Sequence, residues 1–156
     1  MTKFNGFIKT TRVRYENATW DLFRIAVAAM FITHGYGKLL GENPQSFSGS
    51  GMTSINIGKF ISIPMPFDIN ALFLAGSVEL VGGLLILIGL WTNVVALIAA
   101  FTMLMAYLIA HLAWFPTLNN GELAAMYFFS FLILYCKDPG IISIDSWLKS
   151  RKDTSA

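Results

Sequence analysis

The sequence predicts an all-α membrane protein, a bundle of four transmembrane helices, and three observations carry the prediction. Hydrophobic residues make up 55% of the chain and charged residues 13%, about half the charged share of an ordinary soluble domain. Four apolar segments, at residues 20–40, 68–90, 93–115 and 121–137, reach or nearly reach the roughly 20 residues that a helix needs to cross a bilayer. The Lys and Arg residues gather in the two tails while the long connection 41–66 holds only Lys59, which places both termini in the cytoplasm. The expected organisation is a basic arm (1–19), one membrane domain (20–139) and a C-terminal interfacial tail (140–156), with the lipid bilayer as the principal partner.

Composition also excludes. A net charge of +2 without a dense basic face is no nucleic-acid footprint. Cys136 is the single cysteine, so neither an intrachain disulfide nor a Cys-x-x-Cys redox pair can form, and redox chemistry would need a bound cofactor or another subunit.

In the arm, Lys3, Lys9, Arg12 and Arg14 alternate with Phe4, Phe7 and Ile8, a pattern that suits a cytoplasmic segment lying at the interface. A cleaved signal peptide is a poor reading, because the apolar stretch that follows is too long and ends in no small-residue cleavage site. The first span, 20–40, carries Asp21, Arg24, His34 and Lys38. On a helix these four share an arc of roughly 140° with Ala28, Phe31 and Gly35. Ionisable groups confined to one face are hidden from lipid, since charge at membrane depth costs at least a few kcal/mol.

Residues 41–66 are rich in Gly, Ser, Asn and Pro and form either a lid on the outer side or a plain surface connection. Residues 52–61 within it suit a short amphipathic or re-entrant helix capped by Thr53 or Ser54 and stopped by Pro64 and Pro66. The second span centres on Glu79, with Ala75, Gly76, Gly82 and Gly83 on one face to permit close helix approach. The third presents Asn93, Tyr107 and His111 on its polar face, and the fourth opens with Glu122 in its first turn, where a negative charge suits the helix dipole. The aromatic run Tyr127, Phe128, Phe129 and Phe131 reads as lipid-facing and core packing, and Trp147 as an interfacial anchor of the tail.

The alternating direction of the spans converts sequence positions into depths at about 1.5 Å per residue. His34, Lys38, His111 and Glu122 then fall on one level in the outer half of the bundle, with Tyr107 on the same face of its helix. Glu79 falls near mid-depth and Arg24 below it, so Arg24 is expected to pair with Glu79, with Asp21 as the competing partner on its own helix. Asp21, Arg24 and Glu79 would tune charge and protons, or simply lock the bundle. The outer set is either a hydrogen-bonded structural belt or a pocket for a small polar head group such as a quinone ring, with His and Lys donating and Glu exchanging protons with water. No metal site is assigned, because the two His and the carboxylates match no local motif and Lys38 would repel a cation. Haem with His34 and His111 as axial ligands needs the two rings to face each other.

Several short motifs, in order, resemble the DoxX family: Arg24, then His34-Gly35-Tyr36-Gly37-Lys38-Leu39, then Glu79-Leu80-Val81-Gly82-Gly83-Leu84 and Gly89-Leu90-Trp91-Thr92. His111, Asn120-Gly121-Glu122 and Pro139-Gly140-Ile141-Ile142-Ser143-Ile144-Asp145 complete the resemblance. It implies a four-helix protein of the bacterial or archaeal inner (plasma) membrane, with Arg24, His34, Lys38, Glu79, His111 and Glu122 as signature positions. It also implies links to quinone-dependent oxidoreductases and to thiol or oxidative-stress systems. Asn93 stands where the family often carries a basic residue. The resulting expectation is a quinone- or redox-linked oxidoreductase subunit, with a soluble or membrane redox subunit or a second copy as partner. A non-catalytic anchor for a redox partner and a carrier for a small solute or ion are the alternatives.

Overall fold

The computed structural model describes residues 2–49, 51–57 and 61–154, the side chains of residues 2–10, 12 and 154 excepted. The expectations for Lys3, Phe4, Phe7, Ile8, Lys9, Arg12 and Lys59 therefore lie outside the described residues. Within them the chain forms five helices and one β-hairpin, so the fold is mostly helical, not all-α.

Helix α1 (Thr2–Leu40) is continuous for 39 residues and shows no break between the basic arm and the apolar segment. At 1.5 Å per residue it is about 58 Å long, nearly twice the hydrocarbon core of a bilayer. Residues 41–70 follow as a loop built around a hairpin, β1 (Ser54–Ile57) and β2 (Ile61–Pro64). The hairpin replaces the short helix expected at 52–61. Ile55 and Ile57 pair with Ile63 and Ile61, so the apolar residues repeat every second position, the period of a strand.

The loop is fastened by Asn70, which is fully buried. Its side-chain oxygen accepts from the backbone N–H of Met52 (3.1 Å) and of Leu72 (3.0 Å), while its amide donates to Gln45 Oε1 (3.0 Å) and the Ser46 carbonyl (3.1 Å). The same contacts make Asn70 the N-cap of α2 (Ala71–Ile88), which starts three residues later than the expected Asp68 because Pro66–Asp68 form a separate 3₁₀ turn. Midway, Val78–Gly82 widen α2 into a π-helical turn that contains Glu79.

Gly89, in the left-handed conformation at φ 71°, ends α2, and α3 (Thr92–Ala110) follows after a two-residue turn. Helix α3 stops five residues short of the expected Phe115. The unwound segment finds other partners: Tyr107 donates its hydroxyl to the Ala113 carbonyl (3.0 Å), and His111 Nδ1 lies 2.9 Å from the Asn119 carbonyl. After a 3₁₀ turn at Pro116–Asn119 come α4 (Glu122–Cys136) and α5 (Ile144–Thr154). Helices α2 and α3 are long and apolar enough to cross a membrane, and α4 is a shorter apolar helix of 15 residues.

The core joins Val27, Ala28 and Phe31 of α1, Ile86 of α2, Val95, Ala96, Ala99, Ala100 and Met103 of α3, and Tyr127, Phe131 and Leu134 of α4. Phe31 meets Phe131 edge to face at 4.6 Å between centroids. Helices α1 and α2 approach through glycine. A Cβ on Gly35 would stand 2.8 Å from the Glu79 carbonyl carbon and from the Gly76 carbonyl oxygen, whereas one on Gly37 would meet nothing within 4 Å. Gly35→Ala is therefore expected to destabilise by about 1–3 kcal/mol, because backbone must move. Gly37→Ala should leave the thermal midpoint in detergent unchanged or raise it slightly. Equal midpoints for the two variants would rule out the close crossing.

Candidate functional site

Two polar clusters sit at opposite ends of the bundle. The first lies at the tail end, where the apolar part of α1 begins and the chain returns after α4. Arg24 is fully buried there, and Asp21 is 2% exposed. Arg24 Nη1 donates to the carbonyls of Ile86 (2.6 Å) and Leu87 (2.7 Å) in the last turn of α2, and Nη2 donates to the Ile142 carbonyl (2.5 Å). Carbonyls at a helix C-terminus lack partners of their own and attract a cation, so the guanidinium suits this place. Asp21 lies 3.6 Å from Nη2 and accepts the Ile142 N–H, closing a ring between α1 and the segment 139–143.

Residues on either side of that segment make further ties. Asp145 accepts from the N–H groups of Trp91 and Thr92, both at 2.9 Å, and from the Thr92 hydroxyl at 3.1 Å, so it caps α3 from a distant part of the chain. Trp20 Nε1 donates to the Asp138 carbonyl (2.8 Å). Asn93 donates to the carbonyls of Tyr135 (2.7 Å) and Lys137 (2.9 Å). Gly140 has φ 97°, and a Cβ there would collide with Asp21. Most donors and acceptors in this cluster are spent on backbone, and among the described residues Arg24 Nε is the buried side-chain atom left without a hydrogen-bond partner.

The second cluster borders a cavity of about 290 Å³ towards the loop end. Phe31, His34 and Lys38 of α1, Glu79 of α2, Met103 of α3 and Tyr127 of α4 are among its walls, with His111 and Asn120 from the turn between α3 and α4. Lys38 Nζ donates to both carboxylate oxygens of Glu79. The Glu79 side chain is only 3% exposed, while that of Lys38 is 33% exposed, so one partner is sealed and the other borders open space. The His34 ring meets Tyr127 edge-on at 5.8 Å, and Tyr127 stacks on Phe131. A volume at the lower limit of ligand pockets, about 300–1,000 Å³, accommodates one ring head group and not a whole lipid cofactor.

This geometry corrects the pairing expected for Glu79. Gly35 packs against Leu80 and Gly76 against Lys38 and Leu39, so Lys38 is the basic residue beside Glu79, while Arg24 faces the far end of α2. The outer set is also divided. His34, Lys38 and His111 share the cavity with Glu79, but Glu122 is exposed at the start of α4 and Tyr107 is turned to Ala113; neither lines the cavity. Tyr127 and Asn120 line it and were not singled out as site residues. Tyr127 carried a signal in its hydroxyl, a polar group in the middle of an apolar helix. Among the described residues no three of His, Cys, Asp and Glu gather closely enough to hold a metal ion.

Residues 19–112 match the DoxX family, a stretch that includes Asp21, Arg24, His34, Lys38, Glu79 and His111 but stops before α4. An uncharacterized protein of Haemophilus influenzae is 36% identical over 138 residues, covering 85% of this chain and 92% of that protein. No solved structure matches the chain.

Proposed function

The chain belongs to the DoxX family, and from that premise we propose that it is a four-span protein of a bacterial or archaeal inner membrane, its termini cytoplasmic, that binds a quinone-type ring as part of a redox system. One observation carries the reading: an ion pair between the sealed Glu79 and the half-buried Lys38 forms part of the wall of a cavity that His34, His111 and Tyr127 also line. Buried charge within apolar helices is costly and marks sites where polar ligands or protons are handled. Donors on His34 and Lys38 suit ring carbonyls, His111, whose Nδ1–H goes to the Asn119 carbonyl, keeps Nε2 as an acceptor for a ring hydroxyl, and Phe31 and Tyr127 offer apolar edges for the ring itself. When bound, the ring would supply the electron chemistry that the single cysteine cannot; the chain's own residues bind it, orient it and hold protons near its oxygens. The roles proposed for the tail-end residues Arg24 and Asp21 are structural.

Protein purified in mild detergent, its extracted lipids assayed for quinone and its affinity for a short-chain quinone measured by fluorescence quenching, tests the reading. His34→Ala and His111→Ala should each weaken binding about tenfold, the loss of one hydrogen bond of roughly 1.4 kcal/mol, with the thermal midpoint nearly unchanged. Lipid extracts free of quinone together with no short-chain quinone binding would overturn it, as would native affinity in both variants.

A further inference from the structure

We propose that the cavity binds its ring preferentially as an anion, and that each binding event is coupled to uptake of one proton by Glu79. The inference deepens the ring-binding reading above and rests on it.

Its basis is the asymmetry of the ion pair. Both oxygens of Glu79 are served by the same ammonium, that of Lys38, and the described hydrogen bonds give the carboxylate no other donor. Glu79 is sealed inside the π-helical turn of α2 against Gly35 of α1. Lys38 is one-third exposed and borders the cavity, on a flexible stem whose three donors can be redirected without moving the helix. A ring anion entering the cavity competes with Glu79 for that ammonium. Once Lys38 turns to the ligand, Glu79 is a carboxylate without a counter-ion in a low-dielectric wall, and such a group is held as the neutral acid.

The other titratable groups around the cavity are His34 from α1, His111 at the end of α3 and Tyr127 from α4. The exchange balances: the ligand anion and one proton from solvent enter, the Lys38–Glu79 ion pair becomes a Lys38–ligand ion pair, and Glu79 becomes a carboxylic acid. No electron moves. The ligand class is a compact planar oxyanion, such as the ionised form of a hydroxyquinone or a quinol.

Calorimetry of the purified full-length protein tests this with two probes of one shape: a hydroxynaphthoquinone, which is an anion at neutral pH, and its methyl ether, which is neutral. The anion should bind about tenfold more tightly than the ether. Titrations in buffers of different ionisation enthalpy should report uptake of close to one proton per anion bound and none for the ether. Glu79→Gln, which frees Lys38, should bind the anion at least as tightly as the native protein does and take up no proton. Lys38→Met should lose the preference for the anion. Binding of the ether as tight as that of the anion, or of the anion without proton uptake, would overturn the inference and leave the ring-binding reading standing. If neither probe binds, both fall. The native protein alone decides between these outcomes should either variant fail to fold.

Discussion

Replacing Arg24 with Met should unfold the protein or lower its stability by about 3–5 kcal/mol, the largest effect expected of any single substitution in the chain. The buried guanidinium serves three carbonyls and Asp21, and its loss takes a donor from each carbonyl and the counter-ion from Asp21, leaving Ile86 with the Gly89 N–H and Asp21 with the Ile142 N–H. Arg24→Lys should fare little better, because an ammonium has no planar fork with which to reach the end of α2 and Ile142 together. Asp21→Asn alone should cost less than Arg24→Met, since the amide can still accept from Ile142. Thermal midpoints in detergent, followed by the fluorescence of Trp20 beside the cluster, give the comparison. Near-native midpoints for Arg24→Met would mean that the cluster is not what ties the tail to the bundle.

Lys38→Met is the second large effect, expected at about 3 kcal/mol. The low end of the range for a broken buried pair applies because water reaches one-third of the Lys38 side chain and screens the pair in part. The remainder is the cost of a sealed carboxylate with no counter-ion. Adding Glu79→Leu to Lys38→Met should recover most of the loss, since an apolar side chain fits the apolar wall of α2. The four midpoints form a double-mutant cycle whose coupling should exceed about 1 kcal/mol. Additive effects would show that the two residues do not act as a pair in solution.

Much of this was legible in the sequence, and the parts that were not share a cause. The common face of Asp21, Arg24, His34 and Lys38 follows from the helical period, and the structure keeps each of them in a polar cluster. The Arg24–Asp21 pair was legible because it is local, three residues apart on one helix. The partner of Glu79 was not legible because depths counted along each span leave open how two helices slide past each other. The close approach of Gly35 to Leu80 sets that register and brings Lys38, one turn further along α1, to Glu79. The hairpin at 54–64 was legible in principle, through the alternation of Ile55, Ile57, Ile61 and Ile63, but its Gly-, Ser- and Pro-rich surroundings hid the period. The docking of 139–145 was not legible, since bonds such as Arg24 to Ile142 cross 118 residues with no local pattern to announce them.

That span of 118 residues between Arg24 and Ile142 has a meaning in time. Ribosomes add about 5–20 residues per second, so roughly 6–24 s separate the synthesis of Arg24 from that of its last acceptor. The carbonyls of Ile86 and Leu87 become available about halfway through. During the first part of that interval a nascent α1 holds its guanidinium with only Asp21 at hand. The chain therefore completes its tail-end cluster last, after every apolar helix has been made, and assembly of the bundle waits on the few residues around Ile142.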